Sequence, residues 1–140
     1  MVDIFFEDTD VLDFNPEFFV SWLNSVCKSE DYELEQLNLI FCSDEYLLGM
    51  NRTHLDHDYY TDIITFDYSE TTVVGDLFIS MDRVNENAVE NNVTFINERN
   101  RIVVHGLLHL LGYNDKTTTD KQLMTEKENF YLENVSRETL

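Results

Sequence analysis

The sequence is short of the residues that break or staple a chain: one proline, four glycines and two cysteines in 140 residues. The shortage of Pro and Gly leaves no linker-like stretch. No internal repeat or low-complexity segment is present either, so one domain spanning residues 1–140 is expected. Cys27 and Cys42 are too few for a disulfide framework and lack CxxC spacing. Both lie in apolar-rich segments, which predicts buried thiols. Basic residues are scarce as well: nine Lys plus Arg face 28 Asp plus Glu, a net charge of −19. Such a surface repels polyanions at long range and taken alone argues against a nucleic-acid partner. The acidic residues are spread along the chain and form no tail, as a solubilising surface requires. No run approaches the ~18 consecutive apolar residues of a membrane span. The opening MVDIFFEDTDVLDF has no basic start and no long apolar stretch, so no leader is expected and a cytoplasmic protein is.

What is present suits a folded domain. Hydrophobic residues make up 43% of the chain and include ten Phe and seven Tyr, which excludes a disordered class. A chain of this length can hide roughly two-thirds of its unfolded surface. Strand signals fall at Val2–Phe6, at Leu37–Phe41 with alternating character, at Asp62–Tyr68 and at Val73–Ser80. Gly75 interrupts the last and marks a bulge or a close backbone approach. Helix starts are written as caps. Asn15-Pro16-Glu17 opens a helix to about Lys28, Ser43 one to about Arg52, and Ser80 one from Met81 to about Asn91. Thr94 opens the most apolar helix, ending at Gly112, a residue suited to a left-handed stop. The stretch His54–Tyr60 reads as a polar loop and Lys116–Thr119 as a polar connection. A last amphipathic helix carries Leu123, Met124, Phe130 and Leu132. Four strands and five helices, unevenly interleaved, predict an α+β fold with a mixed sheet packed by helices.

The chemistry concentrates in RIVVHGLLHLLGYND, residues 101–115. His105 and His109 stand four apart, one turn along one helix face, so both imidazoles can reach one ion. The rest of this helix is apolar, and an unsatisfied buried polar group costs ~1–3 kcal/mol, so two histidines here need partners. Gly112 lets the chain turn back, and Asp115 is the first carboxylate after the turn. His105, His109 and Asp115 are therefore the candidate metal ligands. In the HExxH pattern a Glu follows the first His as general base. Here that position is Gly106, so a base must come from elsewhere. Asp62, Asp76 and Glu98 are the candidates by chemistry, Glu98 lying seven residues before His105 on the same face. A bound metal could itself supply hydroxide.

The segment HGLLHLLGYND resembles the signature HGxLHLxGYDH of the YbeY endoribonuclease family. The segment 61–66, TDIITF, is similar to that family's TDVLSF strand, and 75–80, GDLFIS, to its GDIxIS strand. Met124 and Glu128 match its C-terminal helix, and Asn51 resembles the Asn of its LN motif. The resemblance implies a fold related to zinc metalloproteases with a zincin-like metal helix and one Zn²⁺. It also implies hydrolysis of single-stranded RNA in 16S rRNA 3′-end maturation and ribosome quality control. By position His105 and His109 are metal ligands. The family's third ligand is a His where this chain has Asp115. Two His and a carboxylate still suit catalytic Zn²⁺, and also suit Fe²⁺ or another divalent metal. Where the family has an Arg after the LN motif this chain has Leu55. Arg52, His54 and His57 are candidates for that charge, with Arg101 and Lys116 as further phosphate contacts.

The leading expectation is a zinc-dependent endoribonuclease acting on rRNA. Its acidic surface predicts weak affinity for free RNA and reliance on small-subunit ribosomal proteins or Mg²⁺. Two other readings stay open: a metallohydrolase of peptides or small molecules, and a ribosome-assembly factor whose metal is structural.

Overall fold

A computed structural model describes residues 1–12, 14–57 and 59–135. Asp58, which the sequence places in the polar loop, lies outside the described residues. The elements are β1 (Val2–Glu7), α1 (Pro16–Ser29), β2 (Leu34–Cys42), α2 (Asp44–His54), β3 (Ile63–Asp67), β4 (Val73–Ser80), α3 (Met81–Glu90), α4 (Phe95–Leu110) and α5 (Thr118–Glu133). The expected α+β class and mixed four-stranded sheet are present. The sheet runs β1-β2-β4-β3, with β1, β2 and β4 parallel and β3 antiparallel to β4.

Each helix begins where a side chain can satisfy a free backbone N–H. Asn15 accepts from the Glu17 amide, Ser43 from Tyr46, Ser80 from Arg83 and Thr94 from Asn97. Helix α5 opens two residues earlier than the expected polar connection allows. Thr117 and Asp120 form a reciprocal capping box, so Thr118 and Thr119 are already helical. Helix α2 likewise runs on to His54, which is its last residue and not part of the loop.

Strand alternation divides the core in two. Leu37, Leu39 and Phe41 of β2 and Leu77 and Ile79 of β4 join α1, α3, α4 and α5 in the main cluster. On the other face, Cys42 and Ile64 pack with Leu47 of α2, alongside Phe66 and Phe78. Both cysteines are free and buried, and burial pushes each thiol up to about 12.

Gly75 is a close approach. A Cβ there would stand 2.7 Å from Leu110 Cδ1 and 2.9 Å from the Phe66 carbonyl oxygen. The register irregularity of the sheet falls instead between Leu34 and Gln36 of β2. The outer helix α5 buries Met124, Glu128, Tyr131 and Leu132. Leu123 and Phe130, expected on its apolar face, are exposed: seven residues apart, they share a different face.

Candidate metal centre

Helix α4 lies against β3 and β4, and Gly106 sets how closely. A Cβ at Gly106 would meet Ile63 Cδ1 at 2.6 Å and both Leu77 methyls at 3.1 Å. Residues 105 and 109 therefore sit on the flank of the helix, three-quarters shielded, with side chains 25% exposed. The helix ends in two interlocked hydrogen bonds. The Gly112 amide donates to the His109 carbonyl (3.0 Å) and the Tyr113 amide to Leu108 (3.0 Å). This is the Schellman arrangement, and it needs the left-handed φ of +100° that Gly112 supplies. The turn brings Asp115 back beside the two imidazoles.

The three side chains converge. His105 Nε2 and His109 Nε2 are 3.0 Å apart, and Asp115 Oδ2 lies 3.4 Å and 3.3 Å from them. Two donors each ~2.0–2.1 Å from one tetrahedral ion stand ~3.3 Å apart, so the triangle has the size a zinc-like ion requires. The far side of each ring is held as well. His109 Nδ1 donates to the Tyr113 carbonyl at 2.9 Å, and His105 Nδ1 to the Glu128 carboxylate at 2.6 Å. A carbonyl can only accept, which fixes the His109 proton on Nδ1 and leaves Nε2 with a lone pair. His105 Nδ1 likewise donates to the carboxylate, and its Nε2 is the nitrogen turned toward Asp115 and His109. With both rings neutral, two Nε2 lone pairs and a carboxylate oxygen face one point, an arrangement that a cation satisfies. The residues thus fit a metal, and His105, His109 and Asp115 form a group that could hold one.

Around His105 the field is acidic. Burial lowers its affinity for a proton, but the Glu128 hydrogen bond and charge, with Asp62 and Asp115, outweigh it and hold the imidazole above its usual value. Glu98 is 5% exposed, and burial pushes its carboxyl up, opposed by Arg101 and aided by Asp62 and Glu128. Asp62 is therefore near enough to His105 for its charge to act there, and Glu98 shares the field of Asp62 and Glu128. Asp76 is turned away. Gly75 and Leu77 face α4, so Asp76 between them points to the opposite side, where it accepts from Asn38 Nδ2 at 2.9 Å.

The cationic candidates are scattered. Arg101 is engaged by Glu128 (2.9 Å) and Asn129 (2.7 Å). Lys116 is exposed directly after Asp115. Arg52 is exposed in the last turn of α2, near enough to Tyr60 for its charge to act there. His54 sets its ring edge-on to Phe66, on the α2 side of the sheet. His57 stacks on Tyr59 with ring centroids 5.0 Å apart. His57, Leu55, Tyr59, Asn51 and Thr61 line a groove of about 230 Å³ along the start of β3. Asn51 ties this loop down: its side chain donates to the Tyr59 carbonyl (2.8 Å), and its carbonyl accepts from Leu55 and His57.

The sequence reading missed the working role of Glu128 and of the Tyr113 carbonyl. A buried Glu on an amphipathic helix was the available signal for the first. Nothing in a backbone carbonyl's residue type signals the second.

Comparison with known proteins decides the family. The family model described as "Endoribonuclease YbeY" matches residues 6–136. The chain belongs to the YbeY endoribonuclease family. The endoribonuclease YbeY of Cytophaga hutchinsonii is 58% identical over 114 residues, 80% of each chain. That of Karelsulcia muelleri is 40% identical over 133 residues, 94% of each. The solution structure of TM1509 from Thermotoga maritima superposes with a TM-score of 0.68 at 29% identity. It covers 96% of this chain and 89% of that one. YbeY membership makes the chain a hydrolase of the endoribonuclease class. No described helix is long and apolar enough to cross a membrane.

Proposed function

We propose that the protein is a zinc-dependent endoribonuclease. It would cut single-stranded RNA in 16S rRNA 3′-end maturation and ribosome quality control. The observation that carries this reading is the convergence of two imidazole lone pairs and the Asp115 carboxylate in a YbeY family member. His105, His109 and Asp115 hold the ion, and Glu128 and the Tyr113 carbonyl orient the rings. Zn²⁺ when bound polarises a phosphoryl oxygen and lowers the pKa of water to ~7. Asp62, partly exposed and near enough to His105 for its charge to act there, would take the proton from water. Glu98, nearly buried, is near enough to Asp62 and Glu128 to feel their charge, and burial favours its protonated form. Lys116 and Arg101 flank the ligands, while Arg52, His57 and the groove beside β3 receive the strand further out. His54, turned toward Phe66 on the α2 side of the sheet, is a further candidate contact. Small-subunit ribosomal proteins and Mg²⁺ offset the charge of −19, and the reaction belongs to the cytoplasm, where rRNA is processed.

Three protein ligands leave a coordination position for water, which favours a catalytic over a structural ion. Peptide hydrolysis of the HExxH kind requires a Glu at 106, and here that position is a glycine whose added Cβ would displace the methyls of Ile63 and Leu77. Elemental analysis separates Zn²⁺ from Fe²⁺. His109→Ala should abolish both metal binding and cleavage of single-stranded RNA, with peptide substrates assayed alongside. Undiminished RNA cleavage by metal-free His109→Ala protein would end this reading.

A further inference from the structure

A second polar cluster lies behind the histidine pair and belongs to three elements at once. Glu30 caps the end of α1, yet its carboxylate does not face solvent. Oε1 accepts from the Tyr113 hydroxyl at 2.5 Å. Oε2 accepts from Lys127 Nζ at 3.0 Å and from the Tyr131 hydroxyl, both on α5. The Lys127 ammonium also stands 5.7 Å from the centre of the Tyr113 ring. Tyr113 is thus fixed at its side chain by a residue 83 positions earlier, and at its amide by Leu108. Its remaining polar group, the carbonyl, accepts from His109 Nδ1. Asp115 follows two residues on.

We infer that Glu30, acting through Tyr113, is a positioning residue for the metal ligands. The carboxylate holds the ring, the ring holds the turn, and the turn holds the carbonyl that aims His109 Nε2 at the ion. This rests on the metal reading above. Two neutral options for the same cluster are weaker. A helix C-cap needs only the Glu30 backbone, which already donates to the carbonyls of Val26 and Cys27. A tie between α1 and α5 needs only Tyr131 and Lys127 on one oxygen. Neither accounts for the second oxygen being given to the residue that orients a ligand.

The test uses the full chain stripped of metal with a chelator. Zn²⁺ affinity is read by competition with a chromogenic chelator, at a temperature where circular dichroism shows every variant folded. Loss of a group that orients a ligand costs ~10–100-fold in metal affinity, and a group one step further out belongs at the low end. Tyr113→Phe, which removes only the hydroxyl, and Glu30→Ala should each weaken Zn²⁺ binding about tenfold. Tyr131→Phe, which leaves Oε1 and Tyr113 together, should stay within about threefold of the parent. An affinity for Tyr113→Phe within about twofold of the parent overturns the inference. So does an equal loss in Tyr131→Phe, which would make the cluster a general brace of the fold. His109→Ala run in parallel separates the two levels. If it binds Zn²⁺ normally, the ligand assignment itself fails; if it loses Zn²⁺ while Tyr113→Phe does not, only the role of Glu30 fails.

Discussion

Gly106 shows how one residue can select a chemistry. The space a Cβ would fill there is taken by methyls of Ile63 and Leu77, so the helix can lie close to the sheet and keep both imidazoles on its flank. Gly106→Glu restores the letters of HExxH and should not create a peptidase. Forcing a charged side chain into that contact should cost more than ~3 kcal/mol through overpacking and burial of charge. Thermal unfolding measures it, and an unchanged midpoint would show that α4 can lift away from the sheet. The His105–Glu128 pair carries a second expectation, for the metal-free protein. Its imidazole is held above its ordinary value. Stability from that pair is therefore complete below about pH 6.5, the unfolded value, and fades as pH rises through the higher folded value. A charge-assisted hydrogen bond contributes about 1.5–3 kcal/mol. The melting-point gap between the parent and Glu128→Gln should accordingly be several degrees near pH ~6 and smaller near pH ~9.

At the scale of elements, the end of α4 is the part of the site that the chain writes most openly. Gly112 has φ +100° with open space around it, so an added Cβ meets no neighbour and only the backbone objects. Gly112→Ala should lower stability by about 1–2 kcal/mol. It should also weaken metal binding, since the same turn returns Asp115 to the imidazoles. Equilibrium denaturation and chelator competition check the two effects. Features of this kind were legible because their causes are local. The caps at Asn15, Ser43, Ser80 and Thr94, the spacing of His105 and His109, and the stop at Gly112 each depend on a few neighbouring residues. Longer-range features were not legible. The bond from Glu128 to His105 spans 23 residues and that from Glu30 to Tyr113 spans 83, and no periodicity encodes which helices will meet. Asp76 fails as a base candidate for a reason the sequence half contained. Gly75 signals a bulge or a close approach; the structure makes it a close approach, and strand alternation then turns residue 76 to the other face. What the sequence lacked was the identity of the element that approaches.

For the whole molecule, the charge of −19 and the RNA substrate pull against each other. Family membership settles that RNA is the class of substrate, so the surface must work without the usual electrostatic footprint. Leu55 lines the groove beside β3 where a cation would be expected, and Arg101 is already engaged by Glu128 and Asn129. Among the described residues, Arg52, Lys116 and, by exchanging its present partners, Arg101 are the candidate cations for phosphates near the site. Each phosphate neutralised on a single strand contributes about −0.7 to the slope of log K against log salt. With three such contacts at most, the slope should be no steeper than about −2. Binding of a short single strand, measured between about 50 and 200 mM KCl, should therefore be weak and only mildly salt-sensitive. Mg²⁺ should strengthen it by screening the acidic surface, and an uncharged chelator control separates that effect from loading of the metal site. A slope steeper than about −4 would require phosphate contacts that these three residues cannot supply. It would move the RNA-binding surface away from the groove and the metal centre altogether.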